Sequence, residues 1–166
     1  MRYKKTFFFI CKCLTINHVE KNKILVEDDL KSGIIDWETL VKVSTSHLVF
    51  PALYCNLKKA NFLPYLPTDL VEFMKHITDL NRERNEQIIV EAKEINELLI
   101  ANNITPIFLK GTGNLIEGLY EDIAERMVGD IDLLINIEQL HKADKILRDN
   151  KYASNSILYD DHRHLP

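Results

Sequence analysis

Apolar residues recur at helical spacing through the first two-thirds of the chain and at strand spacing only towards its end. The opening segment, with Phe7, Phe8, Phe9 and Ile10 followed by Lys12, reads as a first amphipathic helix; no small-residue cleavage site follows that would make it a signal peptide. Asp36 ahead of Trp37, Leu40 and Val41 predicts an N-cap, and Phe50-Pro51 predicts a fresh helix with Leu53, Tyr54 and Leu57 on its core face. Pro64 and Pro67 mark a break. Beyond it Asp69, with Glu72 three residues on, is expected to open a long helix to about Ala101, striped by Leu70, Met74, Ile77, Ile88, Ala92, Ile95 and Leu99. Asn81 and Arg84 interrupt that stripe, which a bend or a solvated middle section explains more simply than a polar contact to the rest of the chain. Arg82, Glu83, Glu86, Glu91, Lys93, Glu94 and Glu97 read as the wet face.

The period then changes. Ile104-Thr105-Pro106-Ile107-Phe108-Leu109 is an apolar, β-branched run, predicted as a buried strand that hands Lys110-Gly111-Thr112-Gly113 to a helix carrying Leu115, Ile116, Leu119 and Tyr120. Further on, Asp130-Ile131-Asp132-Leu133-Leu134-Ile135 alternates, so a strand there puts both carboxylates on one face and Ile131, Leu133 and Ile135 into a core. Asn136 and Gln139 resemble a capping pair for a helix with Leu140, Ala143 and Leu147, ended by Asn150, and Ile157-Leu158-Tyr159 reads as a third, weaker strand. The expected fold class is α+β: a helical N-terminal region, residues 1–101, packed on a small mixed-sheet core, residues 102–166, with Asp130 and Asp132 at the head of a central strand.

Composition narrows the partners. With 166 residues, 46% of them apolar, and a net charge of −4, the chain can bury a sizeable core but offers no basic field to attract a polyanion. Small nucleotides are therefore favoured over long nucleic acid, and no apolar run reaches the length of a membrane span. Cys11, Cys13 and Cys55 form no paired framework, which fits thiols kept reduced in a cytoplasmic protein. His18, His47, His76 and His141 sit at isolated positions and read as surface or packing residues, while His162 and His164 share one side of an extended segment but lack a third ligand.

The chemistry concentrates between Lys110 and Asp132. Two like charges held together are costly unless a cation neutralises them, and paired hard carboxylate oxygens suit Mg²⁺, which binds through one or two carboxylates plus substrate phosphates. Gly111 and Gly113 allow close approach of a ligand to the backbone, the helix they open offers amides to a phosphate, and Lys110 and Thr112 add side-chain donors. Taken singly, the glycines also fit a tight turn without a ligand, and the carboxylates a capped strand.

In combination these segments resemble the polymerase β-type nucleotidyltransferase superfamily and, within it, a bacterial family of uncharacterised nucleotidyltransferases. The resemblance rests on Lys110-Gly111, the segment from Asn114 to Tyr120, Arg126, Gly129-Asp130-Ile131-Asp132-Leu133-Leu134 and Lys151-Tyr152, and extends upstream to near Trp37. Thr112 stands where the superfamily has Ser, which keeps the hydroxyl. The resemblance implies a transferase that moves a nucleoside monophosphate from an NTP to an acceptor hydroxyl. Asp130 and Asp132 would be the catalytic metal ligands for Mg²⁺ (or Mn²⁺), and Lys110, Gly111, Thr112 and Arg126 would hold phosphate; Arg126 reads equally as a salt-bridge partner of Glu121, Asp122 or Glu125. The acceptor, a small molecule or a protein, is unidentified. The superfamily takes a third carboxylate from a later strand, and the chain reaches Pro166 before one is evident, so the core is expected to be incomplete; Asp160 or Asp161 could substitute, although their polar run reads more simply as a solvated loop. Two alternatives stay open: a catalytically silent nucleotide-binding or interaction module, and an antitoxin-like transferase that modifies a partner protein.

Overall fold

The computed structural model describes residues 2–152. The strand expected at Ile157-Leu158-Tyr159, with Asp160, Asp161, His162 and His164, lies outside the described residues.

Four helices come first: α1 (Arg2–Cys13), α2 (Glu20–Lys31), α3 (Trp37–Ser46) and α4 (Phe50–Lys59). They enclose one apolar cluster that includes Ile10, Cys13, Val26, Leu40, Phe50, Leu53 and Leu57, all nearly or fully buried. Local chemistry sets the starts of α3 and α4 as the sequence predicts, whereas α2, which has no side-chain cap, was not anticipated. The Thr39 N–H donates to the Asp36 carboxylate at 3.1 Å at the start of α3, and Pro51 occupies the first turn of α4, where a missing N–H costs nothing.

Helix α5 (Thr68–Ala101) is the spine of the molecule. Its 34 residues rise about 1.5 Å each. Pro67 precedes it and no side chain caps it, so Asp69 lies inside the first turn, where it favours the positive end of the helix dipole, instead of forming the expected capping pair with Glu72. Leu70 and Met74 close the four-helix cluster. Ile88 joins Leu115 and Val128 in a second cluster, and Ile95 and Leu99 join Ile104 and Ala143 in a third. Asn103 (φ 60°) ends α5: the Ile104 N–H reaches back to the Leu99 carbonyl at 2.9 Å, and Ile104 drops into the core.

The remainder is a small sheet with short helices, and the class is α+β as expected. Strand β1 (Ile107–Phe108) pairs antiparallel with β2 (Leu133–Leu134), Ile107 opposite Leu134 and Phe108 opposite Leu133. The buried strand expected at 104–109 is a half-exposed edge. Ile107 and Leu134 are 55% and 53% exposed, because helices cover only the face that Leu133 shares with Ile131 and Ile135.

Helix α6 (Lys110–Ile116) starts earlier than its apolar spacing implied and stops short of Leu119 and Tyr120. Gly118 (φ 69°) terminates it, with Gly118 N–H bonded to the Leu115 carbonyl and Leu119 N–H to the Asn114 carbonyl. After β2 the Asn136 side chain accepts the Glu138 N–H at 3.0 Å and α7 (Leu140–Asp149) follows. Gln139 does not reciprocate; its amide donates to the Asn103 carbonyl and ties α7 to the end of α5.

Candidate functional site

The turn between β1 and α6 places the first functional side chains. Lys110 takes a left-handed backbone (φ 50°), uncommon for a non-glycine residue and of a kind that clusters at functional sites. Its exposed ammonium lies 3.2 Å from Oδ1 of Asp132. The two glycines face protein. A Cβ on Gly111 would stand 2.9 Å from Cγ2 of Val128, and one on Gly113 would stand 2.7 Å from the Phe108 carbonyl oxygen. What approaches the backbone closely here is the Val128 side chain and the end of β1.

The carboxylates sit on the extended segment that leads into β2. Ile131, Leu133 and Ile135 pack against Ile95, Leu99, Ile104 and Ala143, which fixes the alternation and leaves Asp130 exposed and Asp132 half-exposed on the other side. Two hydrogen bonds from the β1–α6 turn hold the segment. Thr112, 1% exposed, donates its hydroxyl to the Asp130 carbonyl at 2.9 Å, and the Leu109 N–H donates to the Asp132 carbonyl at 3.0 Å. The Thr112 hydroxyl is therefore committed to the backbone beneath the carboxylates.

Helix α5 holds the same segment from the opposite side. Asn81 donates to the carbonyls of Ala124 (2.7 Å) and Arg126 (3.1 Å), and Asn85, one turn on, donates to those of Ile123 (2.6 Å) and Arg126 (2.7 Å). Arg84 reaches the Gly129 carbonyl at 3.3 Å. The interruption of the α5 stripe is thus neither a bend nor a solvated section but a polar contact to the core. Arg82 also leaves the wet face: its guanidinium grips both oxygens of Asp122 (3.1 and 2.8 Å) and one of Asp79 (2.5 Å). The signal was present in the sequence, since Asn81 and Asn85 fall in buried register with Met74, Thr78 and Ile88, and a buried amide requires partners.

These contacts tune the loop around the 3-10 turn Ile123–Glu125. The Arg82 guanidinium, with the Ala124 N–H, holds the Asp122 carboxyl below its usual range. Burial, then the charges of Asp122 and Glu121, raise the Glu125 carboxyl. Burial and Asp122 push the Cys55 thiol up to about 12, leaving it protonated and inert. Arg126 is exposed and, among the described residues, pairs with none of Glu121, Asp122 or Glu125; Lys59 and Arg82 take the first two.

Asp130 opens on a cleft of about 420 Å³ lined by Arg84, Gln87, Ile88, Glu91 and Ile95 of α5, by 129–131, and by Tyr152. Asp130 and Asp132 are the carboxylates of this segment that could hold a hard cation such as Mg²⁺ or Mn²⁺, the second of them paired with Lys110. Among the described residues, no group of three or more His, Cys, Asp or Glu is placed to hold a metal.

The α+β chain thus braces a lysine–glycine turn against an Asp-x-Asp segment. Residues 34–166 match the family described as uncharacterised nucleotidyltransferase, and the chain belongs to it. Among curated proteins and among solved structures nothing matches. No helix among the described residues is long and apolar enough to cross a membrane.

Proposed function

We propose that this chain is a metal-dependent nucleotidyltransferase of the polymerase β type, bacterial and cytoplasmic, that moves a nucleoside monophosphate from an NTP to an acceptor hydroxyl on a small molecule or protein. The observation that carries this reading is the placement of Asp130 and Asp132 on the solvent side of one extended segment, with Lys110 beside Asp132. In that role Asp130 and Asp132 hold the cation, and a bound Mg²⁺ or Mn²⁺ supplies charge neutralisation at the α-phosphate. Lys110 supplies a second positive charge to the phosphates once Asp132 is otherwise engaged. Gly111 and Thr112 build the turn that aims Lys110 and anchors Asp130, and exposed Arg126 offers its guanidinium to phosphate. Residues 102–166 form the transferase core in this proposal, and residues 1–101 the helical region that braces it.

Label transfer from α-labelled NTPs, with calorimetry of nucleotide binding with and without Mg²⁺, tests the reading. Asp130→Asn with Asp132→Asn is expected to abolish transfer and the Mg²⁺ dependence of binding while leaving the melting temperature unchanged or slightly raised, because like charges are removed and the exposed Lys110–Asp132 pair that goes with them contributes little. Transfer that survives the double substitution sinks the assignment.

The Lys110–Asp132 ion pair favours one second reading, a module that binds nucleotide without turning it over, since the lysine already neutralises the carboxylate. Metal-independent nucleotide binding with no transfer to any acceptor would select it.

A further inference from the structure

We propose that Arg84, contributed by the long helix α5, is a phosphate-recognising residue of the Asp130 cleft and gives it selectivity for nucleoside triphosphates over monophosphates. The inference rests on the nucleotidyltransferase reading and adds to it a residue that lies outside the lysine–glycine and Asp-x-Asp segments.

The Arg84 guanidinium donates one hydrogen bond, to the Gly129 carbonyl at 3.3 Å, next to Asp130 in the chain. Among the described residues lining the cleft it is the only cation, and Glu91 and Asp130 line the same space. With one positive and two negative side chains the lining carries a formal charge of −1. Such a cleft repels a polyphosphate until the carboxylate charge is offset, and once it is, Arg84 is the remaining fixed positive charge. A guanidinium has five donors in a planar fork that matches phosphate oxygens, and the Gly129 bond leaves the others available. Lys110 stands beside Asp132 and Arg84 beside Gly129, so the two cations approach opposite ends of the 129–132 segment from separate elements.

The test is calorimetric titration of the whole chain with Mg-ATP, Mg-ADP and AMP, on the unsubstituted protein, Arg84→Ala and Arg84→Lys, with thermal melting alongside. Arg84→Ala is expected to weaken Mg-ATP by about tenfold or more, the scale of one charge-assisted hydrogen bond, with a smaller loss for Mg-ADP and little for AMP. Arg84→Lys keeps the charge and recovers most of the loss. If Arg84→Ala weakens all three ligands equally, or none, the side chain only ties Gly129 to α5 and the proposal is overturned while the transferase reading stands. An unsubstituted protein that binds none of the ligands overturns both.

Discussion

Thr112 donates its buried hydroxyl to the backbone carbonyl of Asp130 at 2.9 Å, so the turn that carries Lys110 and the segment that carries the carboxylates are locked to each other. Replacing Thr112 with Val keeps the volume and leaves that carbonyl without its donor. The expected cost is about 1–2 kcal/mol in chemical denaturation, with a disproportionate fall in nucleotide transfer because Asp130 loses its anchor. Thr112→Ser keeps the hydroxyl and is expected to behave nearly as the unsubstituted protein; equal damage from both would show that the methyl packing, not the bond, matters.

The glycines of the turn differ in how their neighbours can give way. An alanine at 113 meets the Phe108 carbonyl oxygen at 2.7 Å, a backbone atom of β1, whereas one at 111 meets the Val128 side chain at 2.9 Å. Gly113→Ala is therefore expected to destabilise by about 2–3 kcal/mol, the overpacking range, and Gly111→Ala by less. Adding Val128→Ala should relieve Gly111→Ala partly and leave Gly113→Ala unrelieved, as read from paired denaturation midpoints.

Asn85 is fully buried and donates to two carbonyls, those of Ile123 and Arg126, while its own Oδ1 has no partner. Asn85→Ala removes both donors and no satisfied acceptor. Because Asn81 still donates to the Arg126 carbonyl, only that of Ile123 loses its side-chain donor, and a loss of about 1–3 kcal/mol is expected, together with faster amide exchange at 123–128. Unchanged exchange there would mean that the loop is held by its apolar contacts alone.

Two neighbouring carboxyls pull the pH dependence in opposite directions. Arg82 lowers the Asp122 carboxyl below its ordinary value, so the stability it contributes is present at neutral pH and is lost as pH falls through the lowered value. Burial and like charge raise Glu125, so ionising it costs stability as pH rises from its ordinary value through the raised one. Asp122→Asn is expected to destabilise at pH 7 by about 1–2 kcal/mol, as for a half-buried bidentate pair, and to cost progressively less on acidification. Glu125→Gln should stabilise at pH 7 and have no effect near pH 3. Denaturation midpoints measured across pH 3–7 separate the two.

Much of this was legible in the sequence because it follows from local periodicity and capping. Asp36 capping α3, Pro51 opening α4, the extent of α5 to Ala101 and the inward face of Ile131, Leu133 and Ile135 each depend on residues within a few positions of one another. The Lys110-Gly111 and Asp130-Ile131-Asp132 segments marked the candidate site by their resemblance to a nucleotidyltransferase family, not by periodicity. What the tertiary structure alone decided was which distant groups meet. Asn81, Arg84 and Asn85 looked like a flaw in the α5 stripe, yet they satisfy carbonyls some 38–45 residues away, a pairing that no periodicity encodes. Gly111 and Gly113 read as room for a ligand, and the fold fills that room with Val128 and the end of β1. Strand β1 read as buried from its composition, but burial depends on what covers each face, and among the described residues Ile107 and Leu134 stand on the face without a helix. Pattern determines which side of an element is apolar; only packing determines what that side, and each buried polar group, finds opposite it.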